Sequence, residues 1–253
     1  MAYVTARNLG VRYPVLTSSA RSLKNTILSR TTGGKIAGSK AHFVEVRALE
    51  QLSFEFKPGD RVGLIGHNGS GKSTLLRVLA GIFHPTEGSI EVRGRVSALF
   101  DAAFGMDIDA TGYENIVLRA KYLGITKAEI SRQIDEIADF TDLGAFLNMP
   151  IRTYSAGMTA RLAFAISTSV DADILLIDEG VGAGDAAFMA KANNRLKSLI
   201  DRSPIVVFAS HDQKIMREFC TRGLVLQSGR IAHDSSIEDA YEHYETIVGA
   251  ALS

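Results

Sequence analysis

Only one cysteine, Cys220, occurs in 253 residues, which excludes an intramolecular disulfide and fits a reducing compartment. It reads as a small apolar residue near a helix or strand end. Excess charge is missing as well. Lys plus Arg and Asp plus Glu both total 28, so contact with nucleic acid or anionic lipid would have to come from a local patch. No stretch reaches the roughly 18 uninterrupted apolar residues of a spanning helix, and residues 1–8 lack the apolar core of a signal peptide. The chain is therefore expected to be soluble and cytosolic, and able to dock on a membrane protein. Its length suits one large α/β domain, or a core with a smaller lobe, rather than two full-size domains.

A local absence is more telling. From Pro14 to His42 there is no acidic residue, while Arg21, Lys24, Arg30, Lys35 and Lys40 are all basic. Glycines and serines break up the second half of this segment. Leu23, Ile27 and Leu28 give it one apolar side, with Lys24 and Arg30 opposite. It is either a cationic amphipathic element facing lipid headgroups or a partner, or a solvated insertion loop.

What is present speaks first through residues 66–74, Gly-His-Asn-Gly-Ser-Gly-Lys-Ser-Thr, which fit G-x-x-x-x-G-K-[ST]. Gly66, Gly69 and Gly71 permit turns closed to residues with a Cβ, so that backbone N–H groups can face phosphate oxygens. Gly66, His67, Asn68, Gly69, Ser70, Gly71, Lys72, Ser73 and Thr74 thus form a candidate phosphate cradle. Lys72 would reach the β and γ phosphates, and the Ser73 hydroxyl would ligate Mg²⁺. The flanks agree. Arg61–Ile65 reads as a buried strand and Ser73–Ala80 has helical apolar spacing, so the loop opens a helix whose dipole favours anions.

Continuous apolar runs at Val62–Ile65, Ile174–Ile177 and Ile205–Ala209 suit central parallel strands. Shorter pieces at Tyr3–Asn8, Leu52–Phe56, Ser89–Val92, Val96–Leu99 and Leu224–Gln227 read as antiparallel or edge strands, the last closed by a Ser228-Gly229 turn. Between Gly112 and Met158 the pattern is helical, with Ile130, Ile134, Ile137 and Phe140 behind a Thr126 cap. A helical lobe is thus expected inside a sheet domain.

Two further strand ends carry chemistry. Ile174–Ile177 leads into Asp178 and Glu179, whose side chains would point to opposite faces. Asp178 would hold Mg²⁺ and Glu179 would polarise an attacking water as general base. Val206–Ala209 leads into Ser210, His211 and Asp212. At the carboxyl edge of an α/β sheet, His211 is placed to sense a γ-phosphate and orient water. Tyr154-Ser155-Ala156-Gly157-Met158 then supplies a second anion-binding helix start, with Ser155 as cap and Gly157 allowing close approach. Since the chain's own loop already serves one nucleotide, this helix start needs a nucleotide from elsewhere.

In this order, the phosphate loop, the Ser-Ala-Gly-Met segment, Asp178-Glu179 and Ser210-His211 resemble the ATP-binding cassette (ABC) ATPases over nearly the whole chain. The resemblance implies an α/β P-loop fold with a mainly parallel core sheet, an antiparallel β-subdomain and an inserted helical subdomain at about 105–168. It implies one nucleotide-binding domain spanning 1–253, with ATP and Mg²⁺ as cofactors. It also implies a head-to-tail dimer in which Ser155 and Gly157 of one copy contact the γ-phosphate held by the other's Lys72 and Ser73. Gly182–Asp185 matches the loop crossing between the two sites, making Asp185 a coupling residue. Tyr13 matches the aromatic that stacks on adenine, with Phe43 as the alternative.

Two departures stand out. Leu99–Gly105 offers no glutamine at the junction with the helical lobe, and Asp101 is the nearest polar substitute as metal ligand. The signature has Ala156 and Met158 where the family usually has glycine and glutamine. Tyr-Ser-x-Gly-Met-x-x-Arg-Leu-Ala-Phe-Ala, Gly184-Asp-Ala-x-Phe188, Thr111-Gly-x-Glu-Asn-Ile116 and the insertion before the phosphate loop resemble the nucleotide-binding subunits of bacterial polysaccharide exporters. These serve O-antigen, capsule or teichoic acid. The resemblance implies two permease subunits as partners, a place on the cytoplasmic face of the inner membrane, and indirect dealings with lipid-linked polysaccharide. Only about twenty residues follow His233, read as a helix over Ile237–Val248, so no C-terminal carbohydrate-binding domain is expected. The rival reading is a soluble assembly ATPase, such as one serving iron–sulfur cluster synthesis. The spacing leaves no room for the coiled coil of a chromosome-organising relative.

Overall fold

Apolar runs without a polar break become the centre of the fold. β3 (Arg61–Ile65), β6 (Ile174–Ile177) and β7 (Ile205–Ala209) are buried almost throughout, as strands covered on both faces must be. The computed structural model describes residues 1–16, 43–100, 105–178 and 186–252. Within them, a six-stranded sheet runs β5-β6-β7-β3-β8-β9, where β5 is Val96–Leu99, β8 is Arg222–Gln227 and β9 is Arg230–Ser236. All neighbours are parallel except β8 and β9.

Alternation along each strand divides its side chains between two cores. Val62, Leu64, Ile174, Leu176, Ile205, Val207, Leu224 and Leu226 face helix α1 (Lys72–Leu79) and a three-stranded antiparallel sheet. Leu175, Ile177, Val206, Phe208 and Val225 face the other way. There they meet α5 (Ala186–Arg202), α6 (Gln213–Phe219) and α7 (Ile237–Leu252) through Leu199, Met216, Cys220 and Tyr241. Cys220 is indeed a buried apolar plug at the end of α6, and burial pushes its thiol up to about 12. Burying each such Leu or Ile contributes on the order of 2 kcal/mol, so these two layers hold the sheet rigid.

The antiparallel sheet runs β2-β1-β4, from Phe43–Phe56, Tyr3–Leu16 and Glu87–Arg93. Both long strands exceed the expected lengths, and bulges near Asn8 and Gln51, at φ 49° and 55°, keep their inward residues in phase. Leu16 pairs with Phe43, so Pro14–Leu16 continues the ladder and the basic insertion begins beyond it. The rest of that insertion, 17–42, lies outside the described residues.

Two of the shorter strands meet the expectation of antiparallel or edge strands and add parallel pairings to it. Val96–Leu99 is an edge strand but pairs parallel to β6. Leu224–Gln227 is an interior strand, parallel to β3 on one side and antiparallel to β9 on the other. Short alternating runs do not reveal pairing direction, which the crossovers decide. The β8–β9 turn does follow from Ser228 and Gly229, both at positive φ (47° and 77°) as a primed hairpin turn requires.

A separate helical lobe holds α2 (Gly112–Tyr122), α3 (Lys127–Thr141) and α4 (Ala156–Ser167), with 3₁₀ turns at Gly144–Asn148 and Ile151–Thr153. Ile116, Ile137, Leu147, Leu162 and Ile166 form its own core. Thr111 with Glu114, and Thr126 with Glu129, close reciprocal capping boxes at α2 and α3.

Candidate nucleotide site

The three parallel strands β6, β7 and β3 lie side by side, so the residues that follow them share one carboxyl edge: Asp178, then Ser210 and His211, then Gly66 and the loop. This is where ligands bind in open α/β sheets. The loop needs its glycines in different ways. Gly66 and Gly71 sit at φ 154° and 111°, and a Cβ at Gly66 would stand 2.4 Å from the Leu226 carbonyl oxygen. At Gly71 it would stand 2.9 Å from that of Ala48 and 2.8 Å from Leu49 Cδ2. Gly69, at φ 82°, has nothing near it, so only its backbone angle calls for glycine. Ser70 is fully buried, and its hydroxyl has no hydrogen-bond partner among the described residues. Lys72 Nζ donates to the carbonyl oxygens of Gly66 at 2.6 Å and His67 at 3.2 Å, curling over the loop it belongs to.

Helix α1 differs from its neighbours at its start. α2, α3, α4 and α6 are capped by the side chains of Thr111, Thr126, Ser155 and Asp212. α1 begins at Gly71 with no side-chain cap. The first N–H groups of any α-helix have no acceptor within the helix, and the dipole makes an anion a favoured partner at this end. Ser73 is exposed at that first turn.

His211 is brought to the loop by a contact the sequence did not announce. Its Nε2 lies 2.9 Å from Asn68 Oδ1, across 143 residues of chain. Nothing local signals this pairing; it exists because β7 runs directly beside β3. The backing of Gly66 and Gly71 by Leu226, Ala48 and Leu49 was equally hidden. Tyr13 is half-buried on β1, its ring edge-on to Phe83 at 5.5 Å. Asp178 follows β6 directly and is half-buried. Glu179, Asp185 and Asp101 lie outside the described residues.

Ser155 stands apart from this edge, at the start of α4 in the helical lobe. Its hydroxyl accepts from the Met158 N–H at 3.2 Å, as expected of a cap. A Cβ at Gly157 would meet nothing closer than Ser155 Oγ at 3.8 Å, so the described residues give no steric reason for glycine there. Tyr154 next to it is fixed by a 2.7 Å bond from its hydroxyl to the Phe146 carbonyl oxygen, and burial raises its pKa.

Known proteins agree with this arrangement. Residues 49–182 match the ABC transporter family. The chain is 46% identical over 235 residues to the O-antigen export system ATP-binding protein RfbE of Yersinia enterocolitica, spanning 93% of this chain and 98% of that one. It is 39% identical over 198 residues to the teichoic acids export ATP-binding protein TagH of Bacillus anthracis, spanning 78% of this chain but 36% of TagH, a much longer protein. In fold it resembles the dimeric post-hydrolysis state of the ATP-binding cassette MJ0796 bound to ADP and Pi. That likeness has a TM-score of 0.66 over 92% of this chain and 98% of the other, at 22% identity. A strand, phosphate loop and uncapped helix beside a strand-end histidine, together with a relative of nearly equal span, place this chain in the ABC transporter family as a nucleotide-binding ATPase cassette.

Proposed function

We propose that this cassette powers export of a lipid-linked polysaccharide across the bacterial inner membrane through two separate permease subunits, working on the membrane's cytoplasmic face. The observation that carries the ATP-switch reading is the division of anion-binding groups. The chain holds one uncapped, glycine-bounded helix start beside His211 and a second one, at exposed Ser155 and half-buried Gly157, on another lobe. A second copy, turned head to tail, brings the exposed start of one chain to the phosphate held by the other. The solved cassette of like fold is itself dimeric. The glycan assignment is supported by the relatives' export names and favours this role over soluble assembly work.

In this mechanism the α1 N–H groups and Lys72 bind the phosphates and Tyr13 packs against the base. Glu179 polarises the attacking water, and His211, oriented by Asn68, holds it in line. The hydroxyl of Ser73 and the carboxylate of Asp178 suit a hard divalent cation, and would hold Mg²⁺, which neutralises charge on the phosphates. Closing the dimer is favoured by ATP's higher affinity for the closed state, and hydrolysis releases it. Asp185 couples the two sites. The Asp101 position replaces the family's glutamine, and the basic insertion faces the permease and anionic headgroups.

Glu179→Gln should bind ATP, accumulate as a nucleotide-dependent dimer and lose turnover. Hydrolysis at the wild-type rate by this variant would remove Glu179 as the base. Co-purification with the permease encoded beside it, and stimulation of its ATPase by a lipid-linked glycan, test the transport role. A complex that neither forms nor responds would point back to a soluble ATPase.

A further inference from the structure

Helix α5 belongs to both bodies of the molecule. Leu196, Leu199 and Ile200 in its second half pack on the six-stranded sheet. Phe188, Lys191, Ala192 and Arg195 in its first part recur at three- and four-residue spacing, one helical stripe, and all but the buried Ala192 show contacts with the helical lobe. Phe188 is 3% exposed. Its ring stands edge-on to Phe140 of α3 at 5.6 Å and to Phe164 of α4 at 6.2 Å, while Phe140 and Phe164 stack at 6.1 Å. Two guanidinium groups close the cluster. Arg161 of α4 lies 4.9 Å from the Phe188 ring centre, and Arg195 lies 4.5 Å from that of Phe140. Arg195 is held further by Glu136 at 3.2 Å and the Thr168 carbonyl oxygen at 3.3 Å, and Lys191 by Asp142 at 2.7 Å.

This is more than filler between two lobes. Leucines would occupy the same space without desolvating a guanidinium; burial lowers the Arg195 pKa, partly offset by Glu136. What rings and cations add is orientation, because edge-on ring pairs and cation–ring contacts depend on angle whereas aliphatic packing does not. The cluster's place gives that orientation a use. Phe188 lies in the first turn of α5, ten residues after Asp178 in the chain. Arg161 lies six residues along α4 from Ser155, about 9 Å of rigid helix.

We infer that Arg161, Phe188, Phe140 and Arg195 are positioning residues that fix the angle between the start of α4 and the carboxylate end of β6. ATP held by one copy then meets Ser155 and Gly157 of the other in register with the water-activating group. The inference rests on the two-copy site proposed above. It separates two properties that global damage would lower together: nucleotide binding by a single copy, which needs only the loop, and turnover, which needs the lobes aligned.

The test uses the full-length chain with Phe188→Leu, Arg161→Met, their combination, and Arg161→Lys. Fluorescent ATP binding is measured at protein concentrations too dilute for dimers, alongside kcat, KM and melting temperature. Both single variants should bind within about twofold of wild type yet lose about tenfold in kcat, and the double variant should lose little more than the worse single, since both break one contact. Arg161→Lys, which keeps a cation over the ring, should recover most of the turnover. Wild-type kcat in both single variants would overturn the inference, as would losses of affinity and kcat in equal proportion. If Phe188→Leu fails to fold, Arg161→Met against Arg161→Lys decides alone. Glu179→Gln keeps the two readings apart: no ATP-dependent dimer from it sinks the two-copy site and this inference together. A normal dimer with unaltered kcat in the cluster variants sinks only the inference.

Discussion

In the function proposed above the starts of α1 and α4 both receive an anion, and they are built in opposite ways. At α1 the side-chain cap is missing, and Gly66 and Gly71 are pressed against the Leu226 and Ala48 carbonyls. At α4 the cap is present in Ser155, and a Cβ at Gly157 would meet only Ser155 Oγ, at an ordinary 3.8 Å. The first is demanded by the chain's own packing. Among the described residues the second has no steric reason for its glycine, which suits the two-copy site proposed above. On that proposal one chain carries an inward half-site and a half-site for its partner.

The largest test removes the inward half. Lys72→Ala should abolish nucleotide binding and lower ATPase activity by roughly a thousandfold or more, since phosphoryl transfer relies on positioned charge rather than covalent help. Fluorescent-nucleotide binding and steady-state turnover check it. Retained binding with normal turnover would mean that Lys72, now curled over Gly66 and His67, stays there.

Gly157→Asp breaks the outward half without harming the helix. A carboxylate in the first turn of α4 suits its dipole, so the melting temperature should hold or rise. Single-copy ATP binding should also hold, whereas turnover should fall on the order of a hundredfold, because the acid would face the partner's γ-phosphate. A variant that hydrolyses normally would show that α4 does not meet a phosphate.

Stability sharpens the same contrast. Gly66→Ala drives a methyl to within 2.4 Å of a backbone oxygen at a positive φ. The cost should be about 2 to 3 kcal/mol, read by urea or thermal unfolding. Gly157→Ala adds a methyl to a helical glycine at an ordinary 3.8 Å from Ser155 Oγ and should be neutral or stabilise by up to about 1 kcal/mol. Equal losses at both sites would erase the distinction between inward and outward halves.

Much of this was legible in the chain itself. Val62–Ile65, Ile174–Ile177 and Ile205–Ala209 carry continuous apolar character that only doubly covered strands need, and Thr126 and Ser155 announce their helices by local hydrogen bonding. The parallel pairings of Val96–Leu99 with β6 and of Leu224–Gln227 with β3 were not legible. Four residues record which faces are buried, but not which neighbour arrives by crossover. The glycine pattern told of backbone angles, but not that Leu226, Ala48 and Leu49 back the loop from the far ends of other strands. Long-range closure of this kind leaves no local trace.

The hydrogen bond between His211 and Asn68 is the finest example, and it qualifies the idea of a self-contained phosphate half. The loop residue Asn68 is exposed and holds the histidine from β7 at 2.9 Å, so the inward half already draws on two strands. An intramolecular hydrogen bond contributes about 1 kcal/mol net, which bounds the effect of losing it. Asn68→Ala should therefore lower kcat by roughly fivefold while leaving ATP affinity and stability close to wild type, and His211→Ala should cost more because the imidazole itself is gone. The double variant should match His211→Ala alone, for Asn68 acts only through the ring. A further loss in the double variant would mean that Asn68 touches the nucleotide directly, and the orienting role would pass to another group at the carboxyl edge.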